Sequence, residues 1–359
     1  MDERWIGLPG GGGSGPPGEE EAALVRAAAA CNGHPGPVVE HLRSTGGELV
    51  THGSHARFEL LASVAAVDLA AARTLEPHLD ALDILRQAGL SAEPGAAWGV
   101  YAAESASGRL TATSAPGSNA SQATTAAAVP GSWTTPDGDW ILEGTKPWCS
   151  LAGVIDRAVV TAHVDGGRRA FSVDLAHPGV APDHSGWAGH GLPSIPSGPV
   201  RFRQVPASPV GATGWYLTRP GFAGGGIGVA ACWFGGAVGL FRTLLDSAHR
   251  RTPDQLALAW IGEADRLLAA AAALLGTAAP LVDSGAAGWT DAHRVRGHVA
   301  AACTRVLEIC GQAMGPSPLA FDAAHARRVA DLTLYIRQHH GSRDDAELGR
   351  LVLERERAW

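Results

Sequence analysis

The sequence has no basic surplus. Its 28 lysines and arginines stand against 35 aspartates and glutamates, and the net charge of −7 offers no field to draw nucleic acid or an anionic membrane. Neither is an expected partner. Cysteine is sparse: Cys31, Cys149, Cys232, Cys303 and Cys310 are odd in number, widely spread and never spaced C-x-x-C. That pattern argues against a disulfide framework or a zinc site, so no metal is expected and a reducing, cytoplasmic setting fits best. The N-terminus lacks the basic-then-apolar order of a signal peptide, since Asp2, Glu3 and Arg4 precede a glycine run. One apolar stretch approaches membrane length, GFAGGGIGVAACWFGGAVGLF. Its glycine content predicts a close-packed buried helix rather than a membrane span.

What is present suits a globular protein: 45% hydrophobic and 18% charged residues, in a chain of 359 residues that is long enough for several domains. Residues 1–58, with LPGGGGSGPPGEEE, are expected to be low in complexity or poorly ordered. Residues 59–95 form a short helical domain. In ELLASVAAVDLAAARTLEPHLDALDILRQA, Leu60, Val64 and Val67 share one face, and Leu79, Leu82 and Leu85 lie on a second helix after Pro77. Residues 96–212 switch to short β-favouring runs such as GVYAAE, RLTATS and PVRFRQV. PDGD and DGGR between such runs signal hairpin turns, so this reads as a central antiparallel β domain. Residues 213–359 are helical over 222–248, 254–282, 290–314, 321–338 and from 344, a C-terminal four-helix bundle. In the second of these Asp254 is placed to cap, and Leu256, Trp260, Ala264, Leu267, Ala271, Leu274 and Ala278 form a stripe. The fold class is α+β.

Three segments carry a resemblance. WILEGTKPWCSLAGVIDRAVVTA, GLPSIPSGPVRFRQVPASPVG and CGQAMGPSPLAFDAAHARRVADLTLYI occur in that order, within helices, a β domain and a bundle. Together they resemble the acyl-CoA dehydrogenase family of flavoproteins over roughly residues 59–349. The resemblance implies that Trp148 packs its ring on the flavin and that the Ser150 hydroxyl bonds the ring edge. It also implies that Gln312 and Gly315 approach the flavin nucleotide of a neighbouring subunit. Gln312 and Asp331 stand 19 positions apart, as the family's Q-x-x-G-G-x-G…R-D stretch requires, although Pro316 and Pro318 replace two glycines.

The chain also departs from that pattern. Desaturation of an acyl thioester needs a base at the α-carbon and flavin N5 to take the β-hydride. The family's base is the glutamate of a Y-E-G-T-like turn, and alignment through Tyr335 puts His339 there, with His340 in place of glycine. Glu263 and Glu308 are alternative carboxylates. Ala103 and Arg109 replace two hydroxyl residues of the T-E-P-x-A-G-S-D loop, while Glu104 and Gly108 remain; R-x-x-F-G is absent, leaving Arg250 or Arg251 to supply its charge. In LYIRQHHGSRDD the adjacent histidines project about 100° apart on a helix, which suits no shared metal. His340 reads as part of a dipole-complementing helix end before Gly341. His339 is the candidate acid/base, able to abstract a proton or to donate to reduced or oxygenated flavin.

The expectation is therefore an FAD-dependent oxidoreductase, a homodimer or homotetramer, that dehydrogenates an acyl-CoA or acyl-carrier thioester. An electron-transfer flavoprotein or a flavin reductase would be its redox partner. A monooxygenase of the same fold using FMN, reduced flavin and oxygen is the second reading. A catalytically silent flavin-binding or partner subunit is the third.

Overall fold

The computed structural model of the chain describes residues 4–10, 17–45, 53–106, 108–115, 140–250 and 252–355. The first 58 residues are not featureless, which corrects the expectation for them. Helices α1 (Glu19–Cys31) and α2 (Gly36–Ser44) lie there and bury Leu24, Val25, Val38, Val39 and Leu42. Ahead of them Ile6 and Leu8 are buried against α3 (Gly53–Val67), where their amides donate to Ser63 Oγ at 2.8 Å and Glu59 Oε1 at 2.7 Å. Two apolar residues beside a glycine run have no period to read, so only this groove identifies them. Residues 11–16 of that run lie outside the described residues.

Helix α4 (Leu69–Gln87) follows α3 directly, and the break falls at Asp68 rather than at Pro77. Asp68 is extended at φ −151°; its Oδ1 accepts from the Ala71 amide at 3.0 Å and its Oδ2 from the Gly33 amide at 2.6 Å. The first satisfies a donor that the start of α4 leaves orphaned, and the second ties the chain just past α1 to the same carboxylate. Pro77 stays inside α4, where burial of Leu75, Leu79, Ile84 and Leu85 offsets the roughly 3 kcal/mol that an interior proline costs.

Seven strands follow: β1 (Trp98–Tyr101), β2 (Leu110–Ser114), β3 (Trp140–Lys146), β4 (Arg157–Val164), β5 (Gly167–Asp174), β6 (Val180–Pro182) and β7 (Val200–Val210). The pairings β2–β3, β3–β7, β7–β5 and β5–β4 are antiparallel, and β6 adds to β7. Here too the structure corrects the sequence: β4 runs parallel to both β1 and β2, and its pairing with β2 closes the ladder on itself. A parallel neighbour leaves no local turn signal, whereas a hairpin does. The Asp165–Gly166 turn between β4 and β5 is one, with Gly166 at φ +85° and Val164 paired to Gly167. PDGD lies outside the described residues.

After the short α5 (Trp215–Thr218), α6 (Phe222–His249) is the packing hub, touching α3, α4, α7 (Gln255–Asp283), α8 (Trp289–Met314) and α10 (Ala323–Tyr335). Its glycines let backbones meet. A Cβ on Gly235 would enter the Ala62 backbone of α3, and one on Gly239 would crowd the Ala66 carbonyl. Both α6 and α7 are long and apolar enough to cross a bilayer by length and composition; most of the α6 stretch is buried in the core. Asp254 caps α7 as expected, accepting from the Ala257 amide at 2.8 Å. The α7 stripe is shifted, with Leu268 and Leu275 buried in place of Leu267 and Leu274, and Leu256 63% exposed. The span 321–338 is not one helix. It is the end of α9 (Pro316–Phe321), then α10 capped by Asp322, then a 3-10 turn (Ile336–Gln338) before α11 (Ser342–Leu353). All five cysteines are buried free thiols.

The glycine contacts predict opposite effects of one methyl group. Gly235→Ala should cost about 2 kcal/mol through overpacking. Gly262→Ala, on α7 with open space around it, should stabilise by roughly 0.5–1 kcal/mol. Urea unfolding midpoints of the two variants, compared with the parent, check both signs.

Candidate functional site

Strand β3 ends at Lys146, the chain's only lysine, whose buried Nζ donates to Glu104 Oε1 at 2.6 Å and Thr161 Oγ1 at 2.9 Å. Beyond it the backbone turns through left-handed conformations at Trp148 (φ +58°) and Leu151 (φ +60°). Such angles cost bulky residues roughly 1–2 kcal/mol each and persist only where the surroundings impose them. Here the Cys149 and Leu151 amides are bound to the carbonyls of Gly198 and Pro196, and both side chains are buried. The turn thereby holds the Trp148 indole 60% exposed. Ser150 is buried beside it, but its hydroxyl is engaged: Oγ accepts from Arg73 Nη2 at 2.9 Å and lies 2.7 Å from Ser197 Oγ.

The turn presents the exposed Trp148 indole face, and the Arg73 guanidinium of α4 reaches the Ser150 hydroxyl behind it. Arg73 also lies 3.7 Å from Glu76 Oε2, one helical turn along α4. Glu76 opens onto a cleft of about 400 Å³ between α4, the start of α6, α8 and the turn before α11.

The cleft is lined by apolar residues of α6 and α8, Phe222, Val229 and Trp289 among them, with Glu76, Asp80, Arg219, Arg296, His293 and Asp344 set between them. Most are paired. Arg219 Nη2 meets Asp80 Oδ1 at 3.0 Å with its guanidinium over the rings of Tyr216 and Phe222. Arg296 donates to the carbonyls of Gly226 at 2.8 Å and Gln338 at 2.9 Å and lies over Trp233, 4.7 Å from the ring centre. Asp344 accepts from the His340 amide and contacts its Nδ1 at 3.2 Å. The Glu76 carboxylate has Arg73 as its ion-pair partner at 3.7 Å, and among the described residues both ring nitrogens of His293 are buried without a hydrogen-bond partner.

The structure corrects the placement of the two histidines. Residue 339 follows the 3-10 turn with extended backbone, so the His339 ring turns from the cleft toward Gly297 of α8. Its Nδ1 accepts from the Gly341 amide at 3.3 Å, and Nε2 is buried 3.7 Å from Asp344 Oδ2. Burial holds its pKa below the ordinary histidine value, and the pull of Asp344 only partly opposes this. Gln338, His340 and Asp344 are the residues of this segment that reach the cleft. Glu263 and Glu308 are not in it: both pair with Arg305, at 2.7 Å and 3.0 Å. Gln312 is exposed near the C-terminal end of α8, and Gly315 carries φ +66° just beyond. That is 16 residues, about 24 Å of helix, from Arg296, so one chain does not bring the pair to its own cleft. Asp331 is a buried anchor whose Oδ1 takes the Leu192 amide; burial pushes its carboxyl up to about 6.

Glu76, Asp80, Arg219, His293 and Arg296 were missed by the sequence reading. Their one signal is the spacing Arg73, Glu76, Asp80 along a helix otherwise buried, a polar stripe that ordinarily faces solvent.

Burial pushes the Glu76 carboxyl from the ordinary 4.5 up to about 7, with Arg73 opposing the rise and Asp80 adding to it. The folded protein thus holds this proton longer than the unfolded chain. The group's contribution is fully present below about pH 4.5 and is lost as pH rises through 7, by roughly 3 kcal/mol at most. Glu76→Gln should remove that loss. Its urea midpoint should exceed the parent's at pH 8 and converge toward it near pH 5.

No family model matches the sequence, and no curated protein does. Solved structures do match. KijD3, in complex with FMN and dTDP-3-amino-2,3,6-trideoxy-4-keto-3-methyl-D-glucose, is 18% identical over 96% of each chain with a TM-score of 0.74. Dibenzothiophene monooxygenase TdsC from Paenibacillus sp. A11-2 is 18% identical over 93% of this chain and 96% of its own, with a TM-score of 0.71. Butyryl-CoA dehydrogenase from Megasphaera elsdenii is 15% identical over 95% of this chain and 100% of its own, with a TM-score of 0.72. At such identities the likeness is one of architecture: this chain, of mixed helix and sheet, has the acyl-CoA dehydrogenase fold.

Proposed function

We propose that the protein is a flavin-dependent oxidoreductase of the monooxygenase kind, acting on a small polar substrate rather than on an aliphatic acyl thioester. The observation that carries this reading is the mixed lining of the cleft, where the ion pairs Arg219–Asp80 and Arg73–Glu76 stand beside the rings of Phe222 and Trp289. A compact substrate with both polar and ring surface matches such a lining better than a long aliphatic chain does. The neighbours support it, since KijD3 is seen with FMN and an amino-sugar nucleotide, and TdsC with FMN and indole.

Trp148 would stack on the flavin ring, with Arg73 and Ser150 at its edge. Bound reduced flavin supplies the electrons with which oxygen is activated. Arg73 would place that shelf next to Glu76, so that oxidation and proton handling share one wall. In this reading the cofactor is FMN and a flavin reductase is the electron source. FAD would bring in Gln312 and Gly315 of a second copy, in a homodimer or homotetramer. A second reading, dehydrogenation of an acyl thioester, is favoured by one feature: Glu76 is a buried carboxylate able to take an α-proton.

Flavin uptake and its reactivity separate the two. The purified chain should bind FMN, keep its visible absorbance when mixed anaerobically with a panel of acyl-CoAs, and consume oxygen once an external reductase reduces the flavin. Bleaching by an acyl-CoA would establish dehydrogenation instead, and protein that takes up neither FMN nor FAD would sink both readings. Trp148→Ala should weaken FMN binding roughly tenfold in a fluorescence titration.

A further inference from the structure

We propose that the turn from His339 to Asp344 is a pH-operated latch: with the His339 ring neutral it holds α11 and one wall of the cleft in place, and protonation of that ring releases them. The latch concerns the wall of the cleft and not what the cleft binds, so it stands or falls apart from the flavin reading.

Helix α11 is lightly held. None of its residues is buried, and α8 is the helix it packs on. What fixes its near end is the turn that precedes it. Gly341 is the N-cap, at a φ of +59° that side chains rarely adopt, and three residues on Asp344 accepts from the His340 amide at 3.1 Å. The same carboxylate lies 3.2 Å from His340 Nδ1 and 3.7 Å from His339 Nε2. Because Gln338, His340 and Asp344 line the cleft, any movement of α11 away from α8 carries this wall with it.

The neighbours of the His339 ring select one protonation state. Its Nδ1 accepts from the Gly341 amide at 3.3 Å and therefore carries no proton, which leaves the ring N–H on Nε2, facing Asp344 and Gly297. A proton added from solvent to Nδ1 turns that acceptor into a donor aimed at a donor. The turn then loses the bond between its own first and third residues.

Asp344 and Asp345 of α11, Arg296 of α8 and the adjoining His340 are the charged and titratable groups that act on the ring. Burial decides in favour of the neutral form and holds the pKa below the ordinary 6.5; the two aspartates pull the other way, and Arg296 and His340 add to the depression. Asp344 does not titrate in the same range. Burial acts to raise its carboxyl, but the bonds from His340 outweigh this and hold it below the ordinary 3.8. The folded turn thus binds the His339 proton less readily than an open one. Its grip on α11 is fully present above pH 6.5 and is lost as pH falls through the folded value.

Amide hydrogen exchange of the full-length chain between about pH 5.5 and 8, scaled to the intrinsic rate at each pH, tests the latch, with α10 as the internal reference. Exchange across residues 338–353 should quicken as pH falls below 6.5, by up to about tenfold per pH unit, the limit for one proton, while α10 holds steady. His339→Gln, neutral at every pH and still able to accept from the Gly341 amide, should abolish the dependence; His340→Gln should keep it. Protection of 338–353 that does not change with pH, or a pH dependence that survives in His339→Gln, would overturn the proposal. In the parent chain alone, tryptic cleavage after the exposed Arg343, scaled to a model peptide at each pH, should rise over the same interval, and a flat profile counts equally against the latch. Neither readout uses flavin, so a chain that takes up none tests the latch all the same.

Discussion

The backbones of α3 and α6 touch at Gly235 and Gly239, and the position of the cleft depends on that contact. With α3 held so close, Asp68 turns the chain straight into α4, and α4 runs beside the start of α6. Its Arg73, Glu76 and Asp80 stripe consequently faces protein instead of water. A side chain at either glycine would push α3 outward and take the stripe with it.

Charges in such a position must find partners or lose their charge. The arginines do so in ways that use little of the cleft: Arg219 reaches back to Asp80, Arg296 caps two carbonyls and rests on Trp233, and Arg73 reaches the Ser150 turn. Arg73 has a further consequence. It ties a loop of the strand domain, where Trp148 stands exposed in a left-handed conformation, to the carboxylate that opens onto the cleft. The Trp148 turn and the cleft thereby share one guanidinium. His293 is the exception among the cleft's polar residues, with both ring nitrogens buried and without a hydrogen-bond partner among the described residues.

Much of the fold was legible in the sequence. The strands around RLTATS, WILEGTK and RAVVTAHV, the DGGR hairpin and the three long helices from Phe222 onward all follow from period and turn chemistry. The errors share a cause. Pro77 reads as a helix break because its local cost is plain, while the burial that offsets it is not. His339 reads as the candidate acid/base from alignment through Tyr335, and the 3-10 turn at Ile336–Gln338 that follows turns its ring toward α8 while His340 and Asp344 line the cleft.

By itself, the sequence determined most element types, because propensity and periodicity act over a few neighbours, and its resemblance to a known family singled out Trp148 and Ser150. Tertiary structure alone decided the parallel pairing that closes the strand ladder, and the docking of Ile6 and Leu8. It alone decided, too, that a polar stripe on α4 would line a chamber. Each of these is set by which surfaces meet across tens or hundreds of residues. A carboxylate raised in pKa by burial, as at Glu76, becomes visible only when everything that surrounds it is in place.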